Sequence, residues 1–394
     1  MVKLCDRNIC TGCSACASAC HGGAISMVAD SEGFLFPSVN ADICSGCGLC
    51  EKACPQLAQV EKHPAPAVFA AWNTNDAVRC SSSSGGLFYT FARHIIEQKG
   101  VVFGAVLSED IHSVSHTYAV DMDGVKPMMG SKYVQSSIGS SYREVKEFLK
   151  SGRKVLFTGT PCQVAGLYGF LGKCSTDNLY TVDVICHGVP SAGLLKFYLG
   201  DSAVQKTISN GGIQAGAAYS SPLAFRNPAA WPDSFTGPMK DYVSLFLSGQ
   251  FMRESCFSCS HTSIQRISDI TIGDFWGIGE CQPFDGDTSK GCSVVLVNSE
   301  KGSRLLDSVK ENLFLQERTA GEAIARNAQL HSPTQRHPKR DSSYNYIQHH
   351  SLLSAMLHFV DYSFSRKIKR LYKSGIGAAY LVTGRTVRPR KRNR

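Results

Sequence analysis

The chain has 394 residues, enough for two or three domains, and no run of about twenty apolar residues that would span a bilayer. Its net charge of +9 is local: residues 362–394 hold eleven Lys and Arg and no Asp or Glu, so the rest is slightly acidic. The basicity belongs to a tail that can touch anionic lipid, nucleic acid or an acidic partner, or simply stay solvated, and it says little about the chemistry.

From the amino terminus, Cys10-x2-Cys13-x2-Cys16-x3-Cys20 is followed by Cys44-x2-Cys47-x2-Cys50-x3-Cys54-Pro55. Three cysteines two residues apart wrap one corner of an iron–sulfur cubane. The fourth of each run is too far round to close its own cluster and ligates the other one. One 4Fe-4S cluster therefore takes Cys10, Cys13, Cys16 and Cys54, and the other takes Cys44, Cys47, Cys50 and Cys20. Paired C-x2-C loops also bind zinc, but zinc gives no role to the x3 cysteine or the trailing proline. His21 stands where a proline usually follows the first run, and Cys5 lies outside the motif as a spare thiol. Clusters of this kind need thiolates and a reducing compartment, so a cytoplasmic protein is expected. The motif begins within ten residues of Met1, which leaves no room for a leader.

The two-cluster ferredoxin is expected over residues 1–58, and the segment from Val60 to Pro66 reads as a linker with two prolines. A long α/β pattern follows: strand Val68–Trp72, helix Leu87–Gln98, strand Val101–Leu107 and helix Tyr142–Lys150. Strand Lys154–Phe157 runs into a glycine-proline turn and a helix from about Gln163; strand Leu179–Ile185 and helix Ala192–Tyr198 repeat the pattern. Residues 211–238 are rich in Gly, Ser and Pro and read as irregular strands or a substrate-side insertion carrying Arg226, and a last α/β portion covers Asp269 to about Leu315. The expected fold class is α+β / α/β, a small ferredoxin-like domain followed by a mixed α/β domain over 67–330, with a basic extension over 331–394.

Four further cysteines stand at turns: Cys162 after Gly159-Thr160-Pro161, Cys186 at a strand end before His187, and the pair Cys256-x2-Cys259. In an open α/β sheet the carboxyl ends of neighbouring strands converge on one crevice, which would set Cys162 beside Cys186. Buried cysteine is also an ordinary small apolar residue, so spacing by itself leaves a four-thiolate cage open.

The blocks Ser82-Ser83-Ser84-Gly85-Gly86, Gly130-Ser131-Lys132-Tyr133-Val134-Gln135-Ser136 and Gly159-Thr160-Pro161-Cys162-Gln163 come in a suggestive order. They continue with Cys186-His187-Gly188, Cys256-x2-Cys259 and Ser268 to Gly277. In this order they resemble the coenzyme F420 hydrogenase/dehydrogenase beta-subunit family. The resemblance implies an FAD-containing domain with its own 4Fe-4S cluster on Cys162, Cys186, Cys256 and Cys259, wired to the ferredoxin. It further implies that Ser83, Ser84, Gly85, Gly86, Lys132, Tyr133, Gln135, Thr160, Gln163 and Asp274 bind the flavin.

Some of these roles also have a physical argument. Ser81 to Gly86 immediately precedes an amphipathic helix, so its backbone N–H groups and the helix dipole can face a pyrophosphate together. No G-x-G-x-x-G run occurs, so a flavin must bind in a manner other than the standard dinucleotide one. Lys132 suits the N1–C2 carbonyl edge of a reduced flavin. Tyr133 can stack on the ring, Gln163 caps the helix after Cys162 and can reach the same ring, and Asp274 can hold ribityl or substrate hydroxyls. His187, four residues after Asp183, is the candidate proton donor, with a structural histidine as the other reading. The expected function is an iron–sulfur flavoprotein oxidoreductase that exchanges single electrons with a redox partner such as ferredoxin or another electron carrier. Through FAD it would exchange a hydride with coenzyme F420 or another small organic acceptor; the alternative is a non-catalytic electron-transfer subunit.

Overall fold

The computed structural model describes residues 2–58, 60–64, 66–200 and 240–359. The first part is a short antiparallel hairpin, β1 (Ile25–Ala29) and β2 (Leu35–Val39), flanked by the helices Ala15–Ala19 and Leu49–Lys52. Ahead of each helix the cysteine loop turns through two left-handed residues, Gly12 and Ser14 in the first run and Gly46 and Gly48 in the second. These pairs occupy equivalent places in the two runs. Glycine takes the positive φ without penalty, whereas Ser14 holds it at a cost of about 1 kcal/mol.

The larger part contains the strands β3 (Ala67–Asn73), β4 (Val101–Leu107), β5 (Val114–Ala119), β6 (Val155–Gly159) and β7 (Leu179–Val184), then β8 (Ile270–Asp274), β9 (Ser293–Val297) and β10 (Leu313–Arg318). They form one sheet in the order β10-β3-β9-β8-β7-β6-β4-β5. The central β4, β6, β7 and β8 are parallel, and antiparallel pairings close both flanks. Val155, Leu156 and Phe157 are buried because helices cover both faces of the centre, which is why β6 reads as an unbroken apolar run. At the edge, β5 alternates buried Val114 and His116 with exposed neighbours, and this polar spelling hid it from the sequence reading. The parallel strands end together at Gly159, Val184 and Asp274, so the segments carrying Cys162 and Cys186 leave the sheet on one side.

The helix after β6 starts at Pro161, two residues before the expected start. Thr160 and Gln163 close a capping box around it, and proline suits the first turn. One face of this helix packs on the ferredoxin-like part, where Val164 and Leu167 meet Cys13, Ala15 and Ala53 in one apolar cluster. Close approach depends on two glycines one turn apart: a Cβ at Gly166 would lie 2.9 Å from the Cys13 Cβ, and one at Gly169 2.3 Å from the Ala53 carbonyl oxygen. Arg143 adds hydrogen bonds to the carbonyls of Ser18 and Ala17 at 3.0 and 2.9 Å.

Residues 340–359, inside the expected extension, form the helices Arg340–His349 and Leu352–Phe359. Tyr344, Ile347, Met356 and Phe359 pack with Phe34, Leu194 and Tyr242 in a second apolar cluster. Arg340 grips Glu32, at the turn between β1 and β2, through two hydrogen bonds of 2.8 and 2.6 Å. The insertion at 211–238 with Arg226, and the basic run 362–394, lie outside the described residues.

Candidate redox centre

Cys10, Cys13, Cys16 and Cys54 line one small cavity, as the crossed ligand pattern requires. Burial pushes the Cys13 and Cys16 thiols up to about 12. Cys5, expected to be a bystander, lines the same cavity, and sharing of its single thiol proton lowers Cys10 to about 6 and Cys54 to about 7. Its distance in sequence from the motif gave no sign of this. Of the other four cysteines, Cys47 is exposed, Cys44 and Cys20 are partly so, and Cys50 is buried.

Cys162, Cys186, Cys256 and Cys259 line a second enclosed space of about 40 Å³. Burial pushes Cys162, Cys186 and Cys256 up to about 12, and Cys259 up as well. Four buried thiols around one small space fit an iron–sulfur core, whose positive charge would offset that of their thiolates. Two groups unforeseen in the sequence share this space. His261 is 7% exposed and its Nε2 has no hydrogen-bond partner, and Arg266 donates to the carbonyls of His261 and Val184 at 2.8 and 3.1 Å. Thr11 lines both this cage and the first.

Beyond the second cage lies a cavity of about 410 Å³, within the size range of cofactor pockets. Cys162, Cys186 and His187 line both spaces. Ser83, Ser84, Gly86, Lys132, Tyr133, Gln135, Thr160, Gln163 and Asp274 all border the cavity, and apolar Met128, Val182, Ile272 and Phe246 complete its wall. Gly85 does not border it: a Cβ there would stand 2.4 Å from the Ala71 carbonyl oxygen, so this glycine serves close packing against β3. Gly86, with φ of 84°, begins the helix Leu87–Glu97 and leaves that helix start facing the cavity.

Several of these side chains are already engaged. Gln163 accepts from the Thr160 N–H and donates to the Ser136 carbonyl and hydroxyl, so its amide positions the loop rather than reaching a ring. Gln135 donates to the Thr11 carbonyl at 2.8 Å and accepts from Arg253 at 3.0 Å, bridging to the ferredoxin-like part. The Ser83 hydroxyl accepts from the Ser131 N–H, joining the two loops that carry the serine block and Lys132. Lys132 Nζ donates to the carbonyls of Pro127 and Met129 at 2.8 Å each, with no carboxylate partner among the described residues, and burial pushes its pKa down to about 7. Asp183 is fully buried with its carboxylate 3.2 Å from Arg266, so its partner is that guanidinium rather than His187. His116, absent from the sequence reading, lines the cavity and bonds the Thr158 carbonyl and the Ser136 hydroxyl. Burial holds its imidazole neutral, with a pKa of about 4.

An iron–sulfur protein of the oxidoreductase type is the class these cages and this fold define. Residues 9–58 match the family model of the 4Fe-4S dicluster domain, and residues 152–322 match that of the C terminus of the coenzyme F420 hydrogenase/dehydrogenase beta subunit. Residues 152–322 thus carry the C-terminal part of that beta-subunit family, with a two-cluster 4Fe-4S domain in front. No curated protein matches it. Among solved structures it is similar to a chain of the F420-reducing [NiFe] hydrogenase complex from Methanosarcina barkeri, at 14% identity and a TM-score of 0.44, over 80% of this chain and 95% of that one. No helix among the described residues is long and apolar enough to cross a membrane.

Proposed function

We propose that the protein is a ferredoxin-linked, FAD-dependent oxidoreductase. Single electrons are exchanged with a redox partner at the exposed cluster of Cys20, Cys44, Cys47 and Cys50, relayed through the inner cluster to a third one, and coupled at the large cavity to hydride exchange with coenzyme F420 or another small organic acceptor. The observation that carries this reading is the sharing of walls. Thr11 belongs to both the inner cage and the third cage, and Cys162 and Cys186 belong to both the third cage and the large cavity. The inner cage, the third cage and the large cavity are thus neighbours with wall residues in common.

FAD, when bound, takes or gives two electrons as a hydride and exchanges single electrons with a cubane, which carries one at a time. The chain's own residues do the rest. Ser83, Ser84 and the start of the helix after Gly86 offer hydroxyl and backbone N–H donors to phosphate oxygens. Lys132, poised near neutrality, gains its proton as negative charge develops beside it. His187 offers an imidazole at the wall common to cluster and cavity, placed to hold or pass a proton, and Asp274 accepts from hydroxyl groups. Compartment, acceptor and the role of the basic tail follow the same reading: a cytoplasmic chain, a small-molecule substrate, and a tail that touches an acidic partner or anionic surface.

Anaerobic purification followed by assay of iron, acid-labile sulfide and flavin tests this. About twelve irons, for three clusters of four, with one FAD per chain is the expected result. Near eight irons without flavin would return Cys162, Cys186, Cys256 and Cys259 to the status of core thiols. Cys162→Ser is expected to abolish flavin reduction by dithionite-reduced ferredoxin, and unaffected kinetics would refute the wiring.

A further inference from the structure

Arg253 is 1% exposed, and among the described residues no carboxylate pairs with it. Its Nε donates to the Cys10 carbonyl at 2.7 Å, one Nη to the Leu35 carbonyl at 3.0 Å and the other to Gln135 Oε1 at 3.0 Å; the Cys10 Sγ lies 3.8 Å from the first Nη. The guanidinium also rests on the Phe36 ring, 4.1 Å from its centroid, and Gly12 is spared a side chain where a Cβ would stand 2.8 Å from Nη1. Arg253 thus reaches the Cys10 loop of the inner cage from outside the ferredoxin. Three residues later in the chain, Cys256 enters the third cage, which Arg253 itself also lines. A buried cation that keeps its charge is stabilised by a negative charge beside it. The cysteines of both cages are within its reach: the Cys10 Sγ lies beside its guanidinium, and it lines the same space as Cys162, Cys186, Cys256 and Cys259.

We propose that Arg253 is the shared counter-charge of the inner ferredoxin cluster and the third cluster, a positioning residue that joins the two domains and draws electrons inward from the exposed cluster. The inference rests on the three-cluster reading above. Each cluster becomes more negative when reduced, so a fixed buried cation stabilises the reduced form and raises the potential of the clusters it touches. Among the described residues no buried cation stands beside the outer cysteines, and Cys47 is open to water.

The test is an anaerobic redox titration of the purified chain followed by electron paramagnetic resonance, with iron counted in each variant. In Arg253→Met two of the three midpoint potentials are expected to move negative while the outer one stays. Arg253→Lys, which keeps the charge, is expected to hold both near their original values. If Arg253→Met does not load iron, Gln135→Glu sets a carboxylate against the guanidinium and is expected to give the same negative shift. Unchanged potentials in an iron-replete Arg253→Met or Gln135→Glu protein, or an equal shift of all three, would overturn the proposal. An iron count for only two clusters in the native chain would instead refute the three-cluster reading. The inner cluster's potential would then decide the role of Arg253 by itself.

Discussion

Gly169→Ala tests whether the ferredoxin domain is held against the helix Pro161–Leu171 by close backbone approach. The new Cβ would lie 2.3 Å from the Ala53 carbonyl oxygen, against an ordinary contact of 3.4 Å or more, so the surfaces must part by about 1 Å. Overpacking of this kind costs about 1–3 kcal/mol. A backbone carbonyl cannot swing away as a side-chain end can, which places the cost at the upper end. Alanine recovers roughly 1 kcal/mol over glycine in a helix interior. The balance of about 2 kcal/mol corresponds to a roughly thirtyfold loss of protection for amides that exchange by undocking. Hydrogen–deuterium exchange of Ala15–Ala19 and Leu49–Lys52 reads this directly. Gly321→Ala, in a helix with nothing within 4 Å of the added atom, supplies the opposite control and is expected to stabilise by up to 1 kcal/mol. Equal protection in native and Gly169→Ala proteins would refute the packing argument.

Lys132 is expected to react with amine-directed reagents through a titration near pH 7 rather than near 10.5, with FAD protecting it; a midpoint at the usual lysine value would remove it as the poised cation. Between those two pH values the unfolded chain holds a proton that the native chain lacks, so the stability due to Lys132 rises with pH over that window. His116 has its pKa lowered from 6.5 to about 4, so the native chain loses stability as pH falls through that range. The loss is at most about 3 kcal/mol, and His116→Asn should show a shallower acid limb in urea titrations between pH 6.5 and 5. Glu32→Gln leaves Arg340 with one weakened acceptor at a contact only partly exposed, and should weaken docking of the β1–β2 turn by roughly 1–3 kcal/mol. Limited proteolysis near residues 58–66 that is no faster than in the native chain would count against that contribution.

The doubled cysteine runs determined their own chemistry, because a cubane's ligands come from a loop a few residues long and the crossed fourth ligand is a matter of spacing. The buried strands Val101–Leu107 and Val155–Gly159 were equally legible, since a parallel strand covered on both faces must be apolar throughout. The candidate flavin blocks could be placed on loops, but only the fold showed that Gly85 faces β3 instead of the cavity and that Gln163 spends its amide on its own helix cap. Arg253 and Cys10 lie 243 positions apart, and Arg340 and Glu32 308. No local period records such pairs, and an arginine read singly is a surface residue. Cys5, His116 and His261 were hidden for the same reason, as was the helix Arg340–His349, whose polar spelling conceals one apolar stripe. Short-range geometry fixes which atoms can bind a cluster; only the tertiary fold brings a guanidinium, a stray thiol and an unpartnered imidazole up to it.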